Sequence, residues 1–426
     1  MNTSYLKQSR YFIHVALLFD AVLIHFSFVL SGYEFLPQSL GEARRGLPID
    51  PHPPSNSPQL AQAPLRFLGG EQENQRWIGI ILVAAMLMAI SFSGQTALAL
   101  TAQWTLFPTD KQNTPSPRVE YGMAYDSHRG VVILHSGLNF VSLFHDTWEW
   151  DGQTWKKVTE AGPGRNLFGM AFDPSRNVTV LYGGHNAWGK SFNKKTYSSV
   201  TWEWDGKEWK GIDTVDMGIR VCTPLVYDPE LKSVIRHGGI SYYGGPIFND
   251  TWKWDGAMWT QIAVGPKRFA HRMVYDSIRK KVVLFGGSEK AGSDPSDTWE
   301  FDGTNWVQVS TVGPPGREVP GFAFDISRGV AVLFGGNRYW GFSDTWIGDT
   351  WEWDGKKWTQ IESIWPGTTY TPDMAYDSQR KKIVLFRGGG GGKGREANPS
   401  NLVYQETWEY GALPSGIPFT IWSQHQ

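Results

Sequence analysis

The chain has 426 residues, and its 40 Lys+Arg against 41 Asp+Glu give no electrostatic reason to expect nucleic acid or an acidic membrane surface as a partner. Its one cysteine, Cys222, excludes an intramolecular disulfide and any zinc site built on several thiolates. With 22 Trp, 48 Gly and 25 Pro the composition points to an all-β protein of short strands and many turns.

Residues 1–76 read as an N-terminal extension. Its apolar run Tyr11–Leu30 contains His14, Asp20 and His25, and a central acidic residue costs roughly 2.5 to 3.5 kcal/mol on insertion scales, so it makes a poor spanning helix. The Pro/Ser/Gln-rich stretch "PIDPHPPSNSPQLAQAP" that follows has the composition of a linker. Residues 77–99 read as a signal peptide or membrane segment: Arg76 precedes the apolar run Trp77–Phe92, and Ala97 to Ala99 give the small-x-small pattern of a cleavage site. This predicts a secreted or periplasmic protein, with a start codon assigned too early as one explanation of the depth of the segment. The rival is membrane anchoring by a hairpin of the two runs, the only membrane contact expected.

From residue 103 to 422 the sequence is periodic. A Tyr/Phe-Asp pair recurs at Asp126, Asp173, Asp228, Asp276, Asp325 and Asp377, in steps of 47, 55, 48, 49 and 52 residues. Each unit runs from a strand such as "YGMAYD" through a tight turn such as "DSHRG" into a β-rich run that ends in a glycine pair in five of six units. A variable loop, "DTWEWDG" or a variant, and a strand that begins with Trp complete it, with Asp-Gly as the hairpin signal between the last two strands. Six four-stranded units that cover one another's faces predict a six-bladed β-propeller.

Five pairs carry a family resemblance: Trp148/Trp155, Trp202/Trp209, Trp252/Trp259, Trp299/Trp306 and Trp351/Trp358 each leave six residues between. With the glycine pairs, this spacing resembles the kelch repeat, which implies a kelch-type propeller over 103–422. The sixth unit departs from the pattern, with Ser415 at the place of its second Trp. Trp104 precedes Arg118 much as Trp155 precedes Arg165, which predicts that "TAQWTLFPT" supplies the outer strand of blade six; "PFTIW" at Pro418–Trp422 is the competitor. Galactose oxidase, a copper enzyme, has a central domain similar to this array. Here Phe269 stands at the position of its crosslinked tyrosine, and the chain ends at "WSQHQ" without a domain to supply a copper histidine, so no metal or cofactor is expected.

The alternation of hairpins puts the tight turns on one face of a propeller and every long loop on the other. Repeated tryptophans are core; the unrepeated Trp188, Trp340, Trp346 and Trp365 fall in long loops and are available to a ligand. Eight residues before five of the anchors stand Arg118, Arg165, Arg220, Arg268 and Arg317, with Thr369 in the sixth unit. These arginines are either bonds between blades or a ring for anions and carboxylates at the channel mouth. Recurring Glu149, Glu203, Glu300, Glu352 and Glu409 read as structural partners. His185, Asn186, Asn337, Arg338 and Tyr339 are lesser loop candidates, and Cys222 reads as a buried inert thiol. The expectation is a monomeric exported propeller that binds glycan, peptide or protein through its long-loop face. The alternative is a sugar-active enzyme with acid/base groups Glu120, His271 and Glu318, since exported bacterial kelch propellers that epimerise sialic acid share this architecture.

Overall fold

Each of the first five units of the repeat folds as one four-stranded antiparallel sheet, the sixth supplies three strands of another, and the six sheets are the blades of a β-propeller. The computed structural model describes residues 102–412 apart from 140, 187–195, 214–217, 243, 291–292, 339–345, 363–365 and 390–403. The N-terminal extension, the segment 77–99 and Pro418–Trp422 lie outside the described residues. Among those described, no helix is long and apolar enough to cross a membrane.

The first strand, β1 (Gln103–Phe107), stands apart in sequence from the blades that follow. Blade one contains β2 (Gly122–Asp126), β3 (Val131–His135), β4 (Thr147–Trp150) and β5 (Trp155–Thr159). Blade two is β6 (Gly169–Asp173), β7 (Val178–Tyr182), β8 (Thr201–Trp204) and β9 (Trp209–Ile212), and blade three β10 (Leu225–Asp228), β11 (Ser233–His237), β12 (Asp250–Trp254) and β13 (Trp259–Val264). Blade four is β14 (Phe269–Asp276), β15 (Lys281–Ser288), β16 (Thr298–Phe301) and β17 (Trp306–Ser310), and blade five β18 (Gly321–Asp325), β19 (Val330–Phe334), β20 (Thr350–Trp353) and β21 (Trp358–Ile361). Blade six has only β22 (Met374–Asp377), β23 (Lys382–Arg387) and β24 (Glu406–Gly411) of its own; β1 pairs with β24, Trp104 opposite Tyr410, and completes it. The N-terminal segment therefore closes the ring, as its register in the repeat predicted.

The anchor aspartates make the tight turns. In all six units the Asp Oδ1 accepts the backbone N–H groups two and three residues on, as Asp126 does from His128 and Arg129 at 3.0 and 2.9 Å. With the four strands of a blade lettered a to d from the channel outward, in five units the turn Arg then bonds the same Asp through Nε at 2.6–2.8 Å and the strand-c Glu through Nη1. This is the structural role of Glu149, Glu203, Glu300, Glu352 and Glu409. Blade three confirms the pairing by exception: Leu231 replaces the Arg and Lys253 the Glu. The turn arginine also reaches the next blade, where Gly152, at φ +95°, leaves room that a Cβ would take from Arg380 at 2.5 Å.

The tryptophans tie blade to blade. The Trp at the start of strand d, first or second in it, donates its indole N–H to the Thr near the start of strand c of the preceding blade, at 2.8–2.9 Å across all six boundaries, Trp104 to Thr350 and Trp155 to Thr407 included. Its ring packs 5.1–5.6 Å from the second strand-c aromatic of its own blade, from Trp150 round to Tyr410. Those second aromatics are almost wholly buried. The repeated "DTWEWDGxxW" is thus core and interblade bond together.

Candidate functional site

The five recurrent arginines stand where the chain enters the innermost strands of blades one to five. The preceding blade fixes four of them: the N–H of Gly137, Gly184, Gly239 and Gly287 donates to the carbonyl of Arg165, Arg220, Arg268 and Arg317 at 3.1, 2.9, 2.8 and 2.8 Å. In four blades the guanidinium holds the Asp at the head of strand c. Arg118 donates to Asp146 at 2.6 and 2.9 Å, Arg220 to Asp250 at 3.0 Å, Arg268 to Asp297 at 2.8 Å and Arg317 to Asp349 at 2.5 and 3.1 Å. The same carboxylates accept the indole N–H of Trp148, Trp252, Trp299 and Trp351 at 2.6–2.7 Å. Blade six relocates its arginine: Thr369 fills the usual place, and Arg387 donates to Glu406, which also accepts from Trp408, both at 3.0 Å. Blade two keeps Arg165 and Trp202 but has Val200 where the carboxylate belongs. Arg165 donates instead to the Gly164 carbonyl and Ser198 Oγ, at 3.0 and 3.2 Å, and burial pushes its pKa down.

Inside the arginines, the residue six before each anchor is left-handed in every blade: Glu120, Leu167, Cys222, Ala270, Val319 and Thr371 have φ between 41° and 58°. They join across blades, with N–H bonds from Cys222 to Leu167, Ala270 to Cys222 and Val319 to Ala270 at 2.7–2.9 Å, and from Glu120 to Thr371 Oγ1 at 2.9 Å. The mouth so formed has two halves. Toward blades three and four, Val221, Cys222, Ile240, Phe269, Ala270 and Val319 make an apolar cluster. Toward the other blades, Trp346 packs 5.7 Å from Tyr370, whose hydroxyl donates to Glu120 at 3.4 Å. The Asn166 side chain also bonds Glu120, and its backbone pairs with His185, whose ring lies 4.6 Å from Tyr197. Burial pushes the Glu120 carboxyl up to about 7 against those hydrogen bonds.

The three candidate acid/base residues have different surroundings. They stand six, five and seven residues before their anchors. Glu120 lies in the polar half of the mouth. His271 is buried between blades three and four, edge-on to His237 at 5.6 Å, and burial holds it well below its ordinary pKa. Glu318 is buried beside Ser288, whose hydroxyl donates to it at 2.5 Å, and its backbone pairs with Asn337, which pairs in turn with Trp346. Burial also raises the Cys222 thiol well above its ordinary range, and both carboxylates, Glu120 and Glu318, push it the same way. Asn186 and Arg338 are exposed; Trp188, Tyr339, Trp340 and Trp365 lie outside the described residues.

Two charged residues near the mouth escaped the sequence reading. Four residues before the anchor, blades one, two, three and five have Gly or Pro, but blade four has Arg272 and blade six Asp373. Arg272 donates to the Pro320 carbonyl at 3.1 Å, and Asp373 accepts the Met123 and Met374 N–H groups at 2.8 and 3.1 Å. Burial raises the Asp373 pKa and the Arg272 charge opposes it. A charged residue in a column of Gly and Pro was the available signal. Tyr370 had a weaker one, as an aromatic in a column of mixed type. Toward the turn face the innermost strands line a cavity of about 300 Å³ with Met123, Met170, Leu225, Met273, Phe324 and Met374 among its walls.

Fold and site together define a six-bladed β-propeller whose mouth is polar on one side and whose recurrent arginines include one, Arg165, that pairs with no carboxylate among the described residues. No family model matches the chain. No curated protein matches it either.

Proposed function

We propose that this chain is an exported, kelch-like propeller that acts as a binding module, taking a glycan, peptide or protein through its long-loop face. The observation that carries the reading is the Trp346–Tyr370–Glu120–Asn166 cluster at the channel mouth. It sets two part-exposed aromatic rings beside a carboxyl and an amide, the combination that packs on a ligand's apolar face while bonding its polar groups. The glycine pairs and the Trp spacing support the kelch assignment, and the pattern of residues 77–99 supports export. The test is a glycan and peptide array probed with the purified protein, then with Trp346→Ala and Tyr370→Ala. Signal for the wild type that falls at least about 10-fold in both variants is expected, since a buried aromatic anchor is commonly worth 2 kcal/mol or more. An array without signal, or signal indifferent to both changes, refutes it.

One observation favours catalysis as a second reading. A carboxyl with a pKa of about 7 is suited to proton transfer near neutral pH, and Glu120 is that group. On this reading a sugar epimerase or lyase would use Glu120 with neighbours in the mouth, and Glu120→Gln would abolish turnover of a carboxylated sugar while leaving its binding intact.

A further inference from the structure

Five blades build the same station at the head of strand c: an arginine, an indole N–H, and between them a carboxylate of the chain itself. Blade two builds the two donors and omits the acceptor. Arg165 takes the placement of its counterpart Arg220, with Nη1 on the carbonyl of the preceding residue at 3.0 Å against 3.1 Å, and Nη2 on Ser198 Oγ where Arg220 has Asp250. Trp202 Nε1 is buried and, alone among the six first tryptophans of strand c, has no acceptor. Val200 branches at Cβ, one atom before the Asp carboxylate would, so its methyls end one bond short of the carboxylate oxygens and accept nothing. Among the described residues no carboxylate pairs with Arg165.

We propose that blade two carries a binding site for a ligand carboxylate, formed by Arg165, Ser198 and Trp202 and left open by Val200. The other blades supply the template. Their stations show that this backbone holds a planar two-oxygen group against a forked guanidinium, in both-oxygen contact at Arg118, Arg268 and Arg317. They also show access, because the aspartates they hold remain 11–23% exposed. Val200 is itself exposed, and Arg165 and Trp202 are partly so. Arg165 and Ser198 directly adjoin Asn166 and Tyr197 of the mouth cluster in sequence. The inference rests on the long-loop face being a binding surface and adds the chemistry of what binds.

The carboxylate has two possible sources, a uronic acid or an acidic peptide side chain, and two probes separate them. Glucuronate is compared with glucose, and N-acetylaspartate amide with N-acetylasparagine amide. The readout is the indole N–H resonances of protein labelled with ¹⁵N-tryptophan, with the Trp202 signal assigned by Trp202→Phe. One acid is expected to move the Trp202 resonance in a saturable way while its neutral analogue does not. Val200→Asp, which restores the repeat's own carboxylate, is expected to weaken that binding at least about 10-fold, the effect of one lost charge-assisted contact, and to raise the melting temperature by roughly 2–4 °C. Arg165→Lys, which keeps the charge and loses the fork, weakens binding with no gain in melting temperature. The inference is overturned if neither acid moves Trp202, if the neutral analogues act equally, or if Val200→Asp binds as the wild type does. Array binding that survives in Val200→Asp while the Trp202 shift is absent from the wild type sinks this inference and spares the broader reading; an array without signal sinks the broader one.

Discussion

His135 and His237 each end a chain of directed hydrogen bonds that begins in the next blade. Trp209 and Trp306 donate to Thr147 and Thr251, which leaves each threonine proton for the histidine Nδ1, at 2.9 and 2.8 Å; each Nε2 then donates to a proline carbonyl, of Pro163 and Pro266, at 3.0 and 2.8 Å. The network thus requires the neutral ring protonated at Nε2, and burial pushes both pKa values down to about 4 from 6.5. A depressed histidine contributes stability that is present above pH 6.5 and lost as pH falls through 4, because the unfolded chain takes up the proton first. Glu120 works in the opposite sense: raised from 4.5 to about 7, it contributes in full below pH 4.5 and loses that contribution as pH rises through 7. Urea unfolding between pH 4 and 8 should therefore show acid destabilisation that His237→Gln makes shallower and Glu120→Gln makes steeper. Unchanged slopes would contradict the placements. Arg236 gives a second prediction at this scale. It replaces the leucine of the other five blades, is fully buried with its pKa pushed down to about 10, meets the rings of Tyr182, Trp252 and Trp259 at 5.0–5.7 Å without a hydrogen bond, and stands 3.9 Å from the Asp250 carboxylate that Arg220 holds. Arg236→Leu should be neutral or mildly stabilising, since it removes a desolvated charge while Arg220 keeps Asp250 paired; a loss of about 3–5 kcal/mol by denaturant titration, the cost of breaking a buried pair, would show that Asp250 depends on Arg236.

At the scale of elements, the closing strand carries the clearest consequence. Trp104 is almost wholly buried, packs at a tilt against Phe334 and Tyr410 with centroids 5.0 and 5.1 Å away, and bonds Thr350 of blade five. Trp104→Ala should cost about 3–5 kcal/mol by urea unfolding, as for a large core aromatic, whereas truncation of the exposed Val312 should cost under about 0.5 kcal/mol. Elements were also the scale at which the sequence was most legible. The anchor aspartates, turn arginines and strand-c glutamates recur because one backbone geometry needs the same bonds in each blade, and the joint change to Leu231 and Lys253 marks them as partners. The arginine stations were half legible. The sequence shows the arginine and, 28 to 32 residues on, an Asp before Thr-Trp, but the loop between varies in length, so only the fold shows that they meet.

For the molecule as a whole, every blade boundary, including that between blades six and one, is crossed by the same indole–threonine bond. A closed ring has no end blade from which to fray, unlike a linear array of repeats. Tryptophan fluorescence and far-UV circular dichroism should accordingly report coincident unfolding transitions of the propeller, and Trp104→Ala should lower both midpoints together. A separate early transition in the variant would mean that blade six melts alone.

The sequence by itself determined the period, the number of blades, the turns and the role of the repeated tryptophans, because each is a local pattern repeated under one set of steric and hydrogen-bonding demands. Only the tertiary structure decided which charges are left over. Whether an arginine is a scaffold bond or a free donor depends on what stands beside it from a loop of unfixed length, and whether Glu120, His271 and Glu318 share a site depends on where a left-handed residue turns each inner strand. Those are relations between residues far apart in the chain, and packing alone brings them together or keeps them apart.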